Sequence, residues 1–273
     1  RESDERFFVR KRWKAAGILC VFQGFTNAFV RCCLKDTEEE SPVKWKKSVV
    51  SCLILAALLV GSVWAESPIE KEQQPMGYIA LTFDDGPSGA LTEQLLDGLR
   101  QRNARATFFL CGYRMDQYPS ALNRYLEEGH ELGVHSTVHT DLTKLTPQEV
   151  QQDMAQTAGK IRELTGISPV VMRPPGGAYD ETVCREAGAE GMSVILWSVD
   201  PRDWASHDAG AVLHTMAREA GDGDVILMHD LSKSSVEAAL RLVDMLEEKG
   251  YCFVTVSELA ALRGTELEPG NVY

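Results

Sequence analysis

The chain has 273 residues, 44% hydrophobic and 25% charged, enough ordinary globular sequence for one large domain with a full core. Its net charge of −12 is unevenly spread: residues 1–65 sum to about +4, whereas residues 66–273 carry 17 Lys and Arg against 33 Asp and Glu. A domain that acidic repels nucleic-acid phosphates, and its three scattered cysteines, with no Cys-x-x-Cys pair, exclude a disulfide framework or a thiolate metal site.

Residues 1–43 mix apolar, basic and cysteine residues without a period and are expected to be unstructured. Translation from Val43, read from a GUG codon, would place residues 1–42 upstream of the true start. Lys44-Trp45-Lys46-Lys47, the apolar run Val49 to Val60 and Val63-Trp64-Ala65 have the order of a basic region, a hydrophobic region and a cleavage site. Residues 44–65 are therefore expected to be a secretory signal peptide. An uncleaved N-terminal membrane anchor is the alternative, although the run is short of the roughly 20 residues of a span. Either places the product outside the membrane, extracellular or associated with the cell wall. Residues 66–76 are polar and contain proline, a linker.

The domain proper is expected over residues 77–262, with 263–273 as a C-terminal tail. It opens with an apolar β-type run, Tyr78–Leu81, that closes in Thr82-Phe83-Asp84-Asp85-Gly86-Pro87. Side chains alternate along a strand and diverge in a turn, so Asp84 and Asp85 should point different ways and hold different jobs. Leu91–Arg100 has helical apolar spacing, and Ala106–Leu110 is a continuous apolar run that predicts a strand buried on both faces. A helix is predicted near Gln117–Glu128 and a short strand at Glu131–Val134. Thr146-Pro147-Gln148-Glu149 is a capping box with Pro at the first helical position, starting a helix to about Leu164. The pattern continues with a strand at Val170–Met172, a helix at Glu181–Ala187, a strand at Met192–Trp197 and a helix at Ala209–Ala220. A strand at Val225–Met228, a helix at Ser235–Glu248 stopped by Gly250, a strand at Cys252–Val256 and a helix at Ser257–Leu262 complete it. Cys111 and Cys252, in strand-like runs, are expected to be buried free thiols.

Seven strands alternating with helices imply an α/β fold, a parallel sheet with covering helices. Five strand ends carry ionisable or Gly/Pro-rich residues: Asp84-Asp85, His135 with His139, Arg173–Gly177, Asp200 with Asp203-Trp204, and His229-Asp230. Such a ring favours a barrel with its site at the strand C-terminal ends. His135 and His139, at i and i+4, share one face if they lie on a helical turn and can bind one ion. Two histidines and one carboxylate form a ligand set for Zn²⁺ and similar ions that leaves positions open for water and substrate; Asp85 is the natural third ligand.

In that order, Thr82–Pro87, His135–His139, Arg173–Gly177, Asp200–Trp204 and Leu227–His229 resemble the five motifs of the polysaccharide deacetylase family, carbohydrate esterase family 4 or the NodB-homology domain. The likeness runs from about Gly77 to Leu262. It implies a distorted barrel of fewer than eight strand–helix units, hence a distorted (β/α)7 barrel here. By position it implies that Asp84 is the catalytic base, oriented by Arg173, and that Asp85, His135 and His139 hold one divalent metal ion, zinc first, with cobalt, nickel or manganese also admissible. His229 would be the general acid, oriented by Asp203. Trp204 and Leu227 would wall the acetyl pocket, and a backbone N–H near Gly176 would complete an oxyanion site. The implied reaction is metal-dependent hydrolytic N-deacetylation of N-acetylglucosamine units in a cell-wall polysaccharide, peptidoglycan first. Chitooligosaccharide deacetylation, xylan O-acetyl ester cleavage and non-catalytic glycan binding are the alternatives. The implied partner is the polysaccharide alone, without nucleic acid, acted on by a monomer.

Two positions depart from the family pattern: Gly176 stands where many members have an aromatic residue, and Val134 where an asparagine often precedes the first histidine. The intact Asp84-Asp85 pair is unlike sporulation-type muramic acid deacetylases. His130, His207 and His214 have no motif partner; the first reads as a strand residue, the others as surface or groove-rim residues. Asp200 reads as structural or substrate-side, and Asp230 as shaping the turn after His229.

Overall fold

The computed structural model describes residues 74–273. The expected signal segment, the residues before it and most of the linker lie outside the described residues. Seven strands are present among them: β1 (Gly77–Asp84), β2 (Thr107–Cys111), β3 (Glu131–Ser136), β4 (Val171–Met172), β5 (Ser193–Val194), β6 (Val225–His229) and β7 (Tyr251–Val254). Eight α-helices accompany them: α1 (Ala90–Gln101), α2 (Gly112–Gln117), α3 (Ser120–Glu127), α4 (Pro147–Thr165), α5 (Glu181–Ala189), α6 (Ala209–Glu219), α7 (Lys233–Glu247) and α8 (Val256–Leu262). No helix among the described residues is long and apolar enough to cross a membrane.

All strand pairings are parallel, in the order β5-β4-β3-β2-β1-β6. β1 is the hub. Its C-terminal half pairs with β2 and β6, and its first residues, Gly77–Ala80, pair with β7. The sheet curls until the segment after β5 meets β6 at a single bridge, Val199 to Ile226, giving a distorted seven-stranded barrel. Alternation along β1 decides what lies where. Phe83 faces outward and stacks on Phe108 at 5.2 Å between ring centroids, within the large core beneath the helices. Ala80 faces the barrel interior with Phe109, Val171 and Ile195.

Local chemistry explains where the elements depart from expectation. The helix predicted near Gln117–Glu128 is α3, which starts only at Ser120 because Pro119 excludes helical geometry from Tyr118 (φ −135°, ψ 57°); α2, which precedes it, was not expected. The strand predicted over Met192–Trp197 shrinks to two residues, because the Ile195 and Leu196 carbonyls accept hydrogen bonds from Arg173. The α4 capping box forms as read, Thr146 and Glu149 each satisfying the other's backbone, and Gly166 closes the helix at φ 75°. Residues 263–273 do more than trail: Val272 bridges Val194, and the Leu196 N–H donates to the Tyr273 carbonyl, covering the edge of β5. Cys111 is buried, but Cys252 is exposed, pointing away from the core at the start of β7. His130 precedes β3 and is buried, its Nδ1 accepting the Ala106 N–H at 3.1 Å.

Candidate active site

β1 delivers Asp84 into the barrel mouth, where its side chain is nearly fully buried. Arg173, directly after β4, reaches under it. Its Nη1 donates to Asp84 Oδ1 at 2.9 Å and to Thr82 Oγ1 at 2.6 Å. Nε and Nη2 donate to the Ile195 and Leu196 carbonyls, and the guanidinium lies 4.3 Å from the Phe109 ring centroid and 5.5 Å from that of Trp197. A guanidinium with no exposed surface is tolerable only when its donors are met in this way. The orientation of Asp84 is thus set by a buried group held by four other contacts of its own.

One residue on, the backbone turns sharply. Asp85 has φ 71°, a left-handed conformation that costs a non-glycine residue about 1–3 kcal/mol. The turn sends its carboxylate away from Asp84, as expected of the pair, and toward the two histidines. His135 Nε2 and His139 Nε2 each lie 3.3 Å from Asp85 Oδ1. The histidines are not on a helical turn, the condition on which the spacing argument rested: His135 is the last but one residue of β3, and His139 sits in the following loop at φ 58°. They converge because that loop bends back, and Asp153 of α4 holds the bend by accepting the Thr137 N–H with both carboxylate oxygens at 3.0 Å. His135 Nδ1–H donates to the Arg173 carbonyl at 2.8 Å, which leaves Nε2 as the free lone pair.

Ligand atoms of Asp85, His135 and His139 all lie within 4.8 Å of one another. Two imidazole nitrogens and one carboxylate are a donor set that fits a divalent cation. Burial opposes the Asp85 charge, but when the two imidazoles carry protons the His135 hydrogen bond and the charges of His135, His139 and His229 outweigh burial and draw its pKa to about 2. The Cys111 thiol donates to Asp85 Oδ1 at 3.8 Å; burial and the neighbouring carboxylates push its pKa up, so it stays a neutral thiol.

Opposite this cluster stands His229, the last residue of β6. Asp203 accepts from its backbone N–H at 2.8 Å and lies 2.9 Å from its Nδ1. Burial works against the imidazolium, yet the hydrogen bond and charge of Asp203, with Asp84 and Asp85 beyond, hold its pKa above the ordinary histidine value. The two groups border an open cavity of about 370 Å³, walled in addition by Leu227, Trp197, Gly176, Asp200 and a largely exposed Trp204. Gly176 has φ 62°, and a Cβ there would meet nothing within 4 Å, so the cavity is open on that side. Arg202, also left-handed (φ 55°), lays its guanidinium 5.3 Å from the Trp204 ring centroid.

Every residue singled out for the site therefore comes to one mouth. Sequence reasoning missed Thr82, Trp197 and Asp153. Thr82 and Trp197 touch Arg173, adjacent in sequence to positions already noted. Asp153 had no signal at all, being one carboxylate among many on an amphipathic helix. His207 and His214 are exposed and outside the cavity lining.

Residues 71–195 match the family model for polysaccharide deacetylase. The chain is 42% identical over 195 residues to the peptidoglycan-N-acetylglucosamine deacetylase PgdA of Listeria monocytogenes, an alignment covering 71% of this chain and 41% of that protein. It thus spans about two-fifths of that relative's length. A peptidoglycan-N-acetylglucosamine deacetylase of Bacillus cereus is 37% identical over 207 residues, covering 70% of this chain and 97% of the relative. Among solved structures, the peptidoglycan deacetylase PdaC from Bacillus subtilis superposes with a TM-score of 0.67 at 38% identity, covering 70% of this chain and 93% of that one.

Proposed function

The chain belongs to the polysaccharide deacetylase family, and we propose that it hydrolyses the acetamide of N-acetylglucosamine units in a cell-wall polysaccharide, peptidoglycan, releasing acetate and leaving a free amine. The observation that carries this reading is the opposition, across one cavity, of the Arg173-bound Asp84 and the Asp203-bound His229, with the Asp85–His135–His139 cluster beside them. An amide carbonyl is a poor electrophile and an amine a poor leaving group, so hydrolysis needs a base, an acid and positive charge at the oxygen. In this reading Asp84 accepts the proton of the attacking water, and Arg173 keeps its carboxylate aimed. His229 gives a proton to the departing nitrogen, and Asp203 holds the ring in the donating orientation. Leu227 and Trp204 enclose the acetyl methyl, and the backbone N–H near Gly176 donates to the developing oxyanion. Asp85, His135 and His139 would hold one divalent ion, which when bound supplies Lewis acidity at the carbonyl. The His₂Asp set suits Zn²⁺, and Co²⁺, Ni²⁺ or Mn²⁺ can occupy the same donors.

The segment 44–65 is proposed to export the domain, 77–262, to the wall, as a cleaved signal or as a tether, where it acts as a monomer. The test is acetate release from peptidoglycan and from N-acetylglucosamine oligomers, abolished by a chelator and restored by Zn²⁺ or Co²⁺. Metal binding without acetate release from any glycan amide or ester would overturn the reading.

A further inference from the structure

One buried carboxyl beside the cavity has no part in the chemistry above. Asp230 follows His229 directly and has no exposed surface. Its backbone carbonyl accepts from Ser88 Oγ at 2.5 Å, and its Oδ2 accepts from Thr92 Oγ1. Thr92 Oγ1 in turn accepts the Ser88 N–H at 2.7 Å. Ser88 lies three residues beyond Asp85, and Thr92 lies in the first turn of α1, so this triangle joins the turn after β6 to the turn after β1. The other carboxylate oxygen, Oδ1, has no hydrogen-bond partner among the described residues and lies against Gly86, where a Cβ would come within 3.0 Å of it. A buried polar atom left unpaired costs about 1–3 kcal/mol, a cost that an alanine at this position would remove. An apolar residue would serve a merely structural turn better.

On the reading of the reaction given above, we propose that Asp230 is a positioning residue: through Thr92 and Ser88 it fixes the turn carrying His229 relative to the turn carrying Asp84 and Asp85. The His229 ring is already pinned from one side by Asp203. Asp230 supplies the second restraint, on the chain immediately after the ring, and ties it to the opposing half of the site. Reactions between held groups lose about a hundredfold when one partner is misplaced by roughly 1 Å, so the tie bears on turnover rather than on binding. The two histidines of the metal cluster are held separately, His135 by the Arg173 carbonyl and the His139 loop by Asp153, so only the Asp85 arm shares the turn that Asp230 ties.

The experiment compares Asp230→Ala, Asp230→Asn, Thr92→Val and Thr92→Ser in the full chain, reading kcat and KM for acetate release together with Zn²⁺ affinity by calorimetry. Asp230→Ala and Thr92→Val are each expected to lower kcat by about ten- to a hundredfold, with KM and metal affinity within about threefold. Asp230→Asn and Thr92→Ser keep an acceptor and a donor in place and should restore most of the loss. The double variant Asp230→Ala/Thr92→Val should fall no further than either single one, as coupled residues do. If Asp230→Ala lowers the melting temperature and leaves kcat untouched, the positioning role is overturned. It is overturned equally if Asp230→Asn fails as far as alanine, or if the two losses simply multiply. Should Asp230→Ala not fold, the Thr92 pair decides the question alone. A wild-type protein that releases no acetate would instead overturn the functional reading.

Discussion

In the proposed reaction, a difference of one residue separates proton transfer at Asp84 from metal binding at Asp85. Asp84 is aimed by a buried arginine and Asp85 is turned away by a left-handed backbone, so their substitutions should fail differently. Asp84→Asn is expected to bind Zn²⁺ as tightly as the wild type and to lose about 10²–10⁴ in kcat, the usual worth of a general base. Asp85→Ala is expected to lose metal affinity first, with activity partly recovered at high Zn²⁺; calorimetry beside acetate release separates the two, and equal loss of metal in both variants would refute the division. The acid side gives a pH prediction. Because the charge of Asp203 holds the His229 pKa above the ordinary value near 6.5, kcat/KM should fall on the alkaline side through a pKa above that value. Asp203→Asn removes the favourable charge and should move that limb down by about one pH unit, besides lowering kcat. The metal cluster was legible before any coordinates in the His135–His139 spacing and the Asp84-Asp85 pair, whereas the roles proposed for Asp84, Arg173, Asp203 and His229 rest on the resemblance to the family's motifs. The structural partners that aim them were partly hidden. Thr82 could be named only as the first residue of its motif, and nothing in the sequence says that its hydroxyl accepts from an arginine 91 residues away.

At the level of elements, the loop between β3 and α4 decides whether two histidines four residues apart can meet one carboxylate. The spacing suggested a helical turn; the chain uses a strand end and a left-handed loop residue instead, and so needs an outside anchor. Asp153 is that anchor, gripping the Thr137 N–H with both oxygens while the Thr137 hydroxyl donates to the Asp153 carbonyl. Asp153→Ala should therefore weaken Zn²⁺ binding by about ten- to a hundredfold, as loss of outer ligand support commonly does, while leaving α4 helical because its capping box is untouched. Titration calorimetry with far-ultraviolet circular dichroism checks both halves. An unchanged affinity would mean that the loop keeps its shape without the anchor. The strands and helices with a clean hydrophobic pattern, β2, α4 and α7, were readable in sequence with nearly their true bounds. β5 was not, because its hydrophobic run is long enough for a full strand; what ends it is the demand of Arg173 for the Ile195 and Leu196 carbonyls, a tertiary contact with no local signature. The role of the last residues along the β5 edge was equally invisible, since a short polar tail carries no period to read.

Across the whole molecule, two buried titratable groups pull stability in opposite directions over the same pH range. Burial, followed by the charges of Arg105 and Arg124, pushes the His130 pKa from 6.5 down to about 4. Between those values the unfolded chain binds a proton that the folded one refuses, so stability drops as pH falls from 6.5 toward 4. Burial pushes the Asp230 pKa from 3.8 up to about 6, against the Thr92 hydrogen bond and the charges of Arg114 and His229. There the folded chain keeps a proton that the unfolded one has lost, so this contribution is complete below 3.8 and disappears as pH rises through 6. Each shift exceeds two units and corresponds to about 3 kcal/mol at 1.36 kcal/mol per unit, so the two nearly cancel. Asp153, also raised by burial, adds to the Asp230 side, whereas the lowered carboxylates Asp85, Asp222 and Asp244 act below pH 4. The wild type is accordingly expected to have a urea stability that changes less between pH 4 and 6.5 than either group alone would impose, with Asp153 favouring the acid end. His130→Gln should unmask the carboxyl and make the protein more stable at pH 4.5 than at pH 7 by up to about 3 kcal/mol; Asp230→Asn should do the reverse. Linear extrapolation of urea unfolding at four pH values is enough to separate these slopes. Profiles for both variants that run parallel to the wild type would show that neither group titrates differently on folding, and that acid stability is set at the barrel mouth instead.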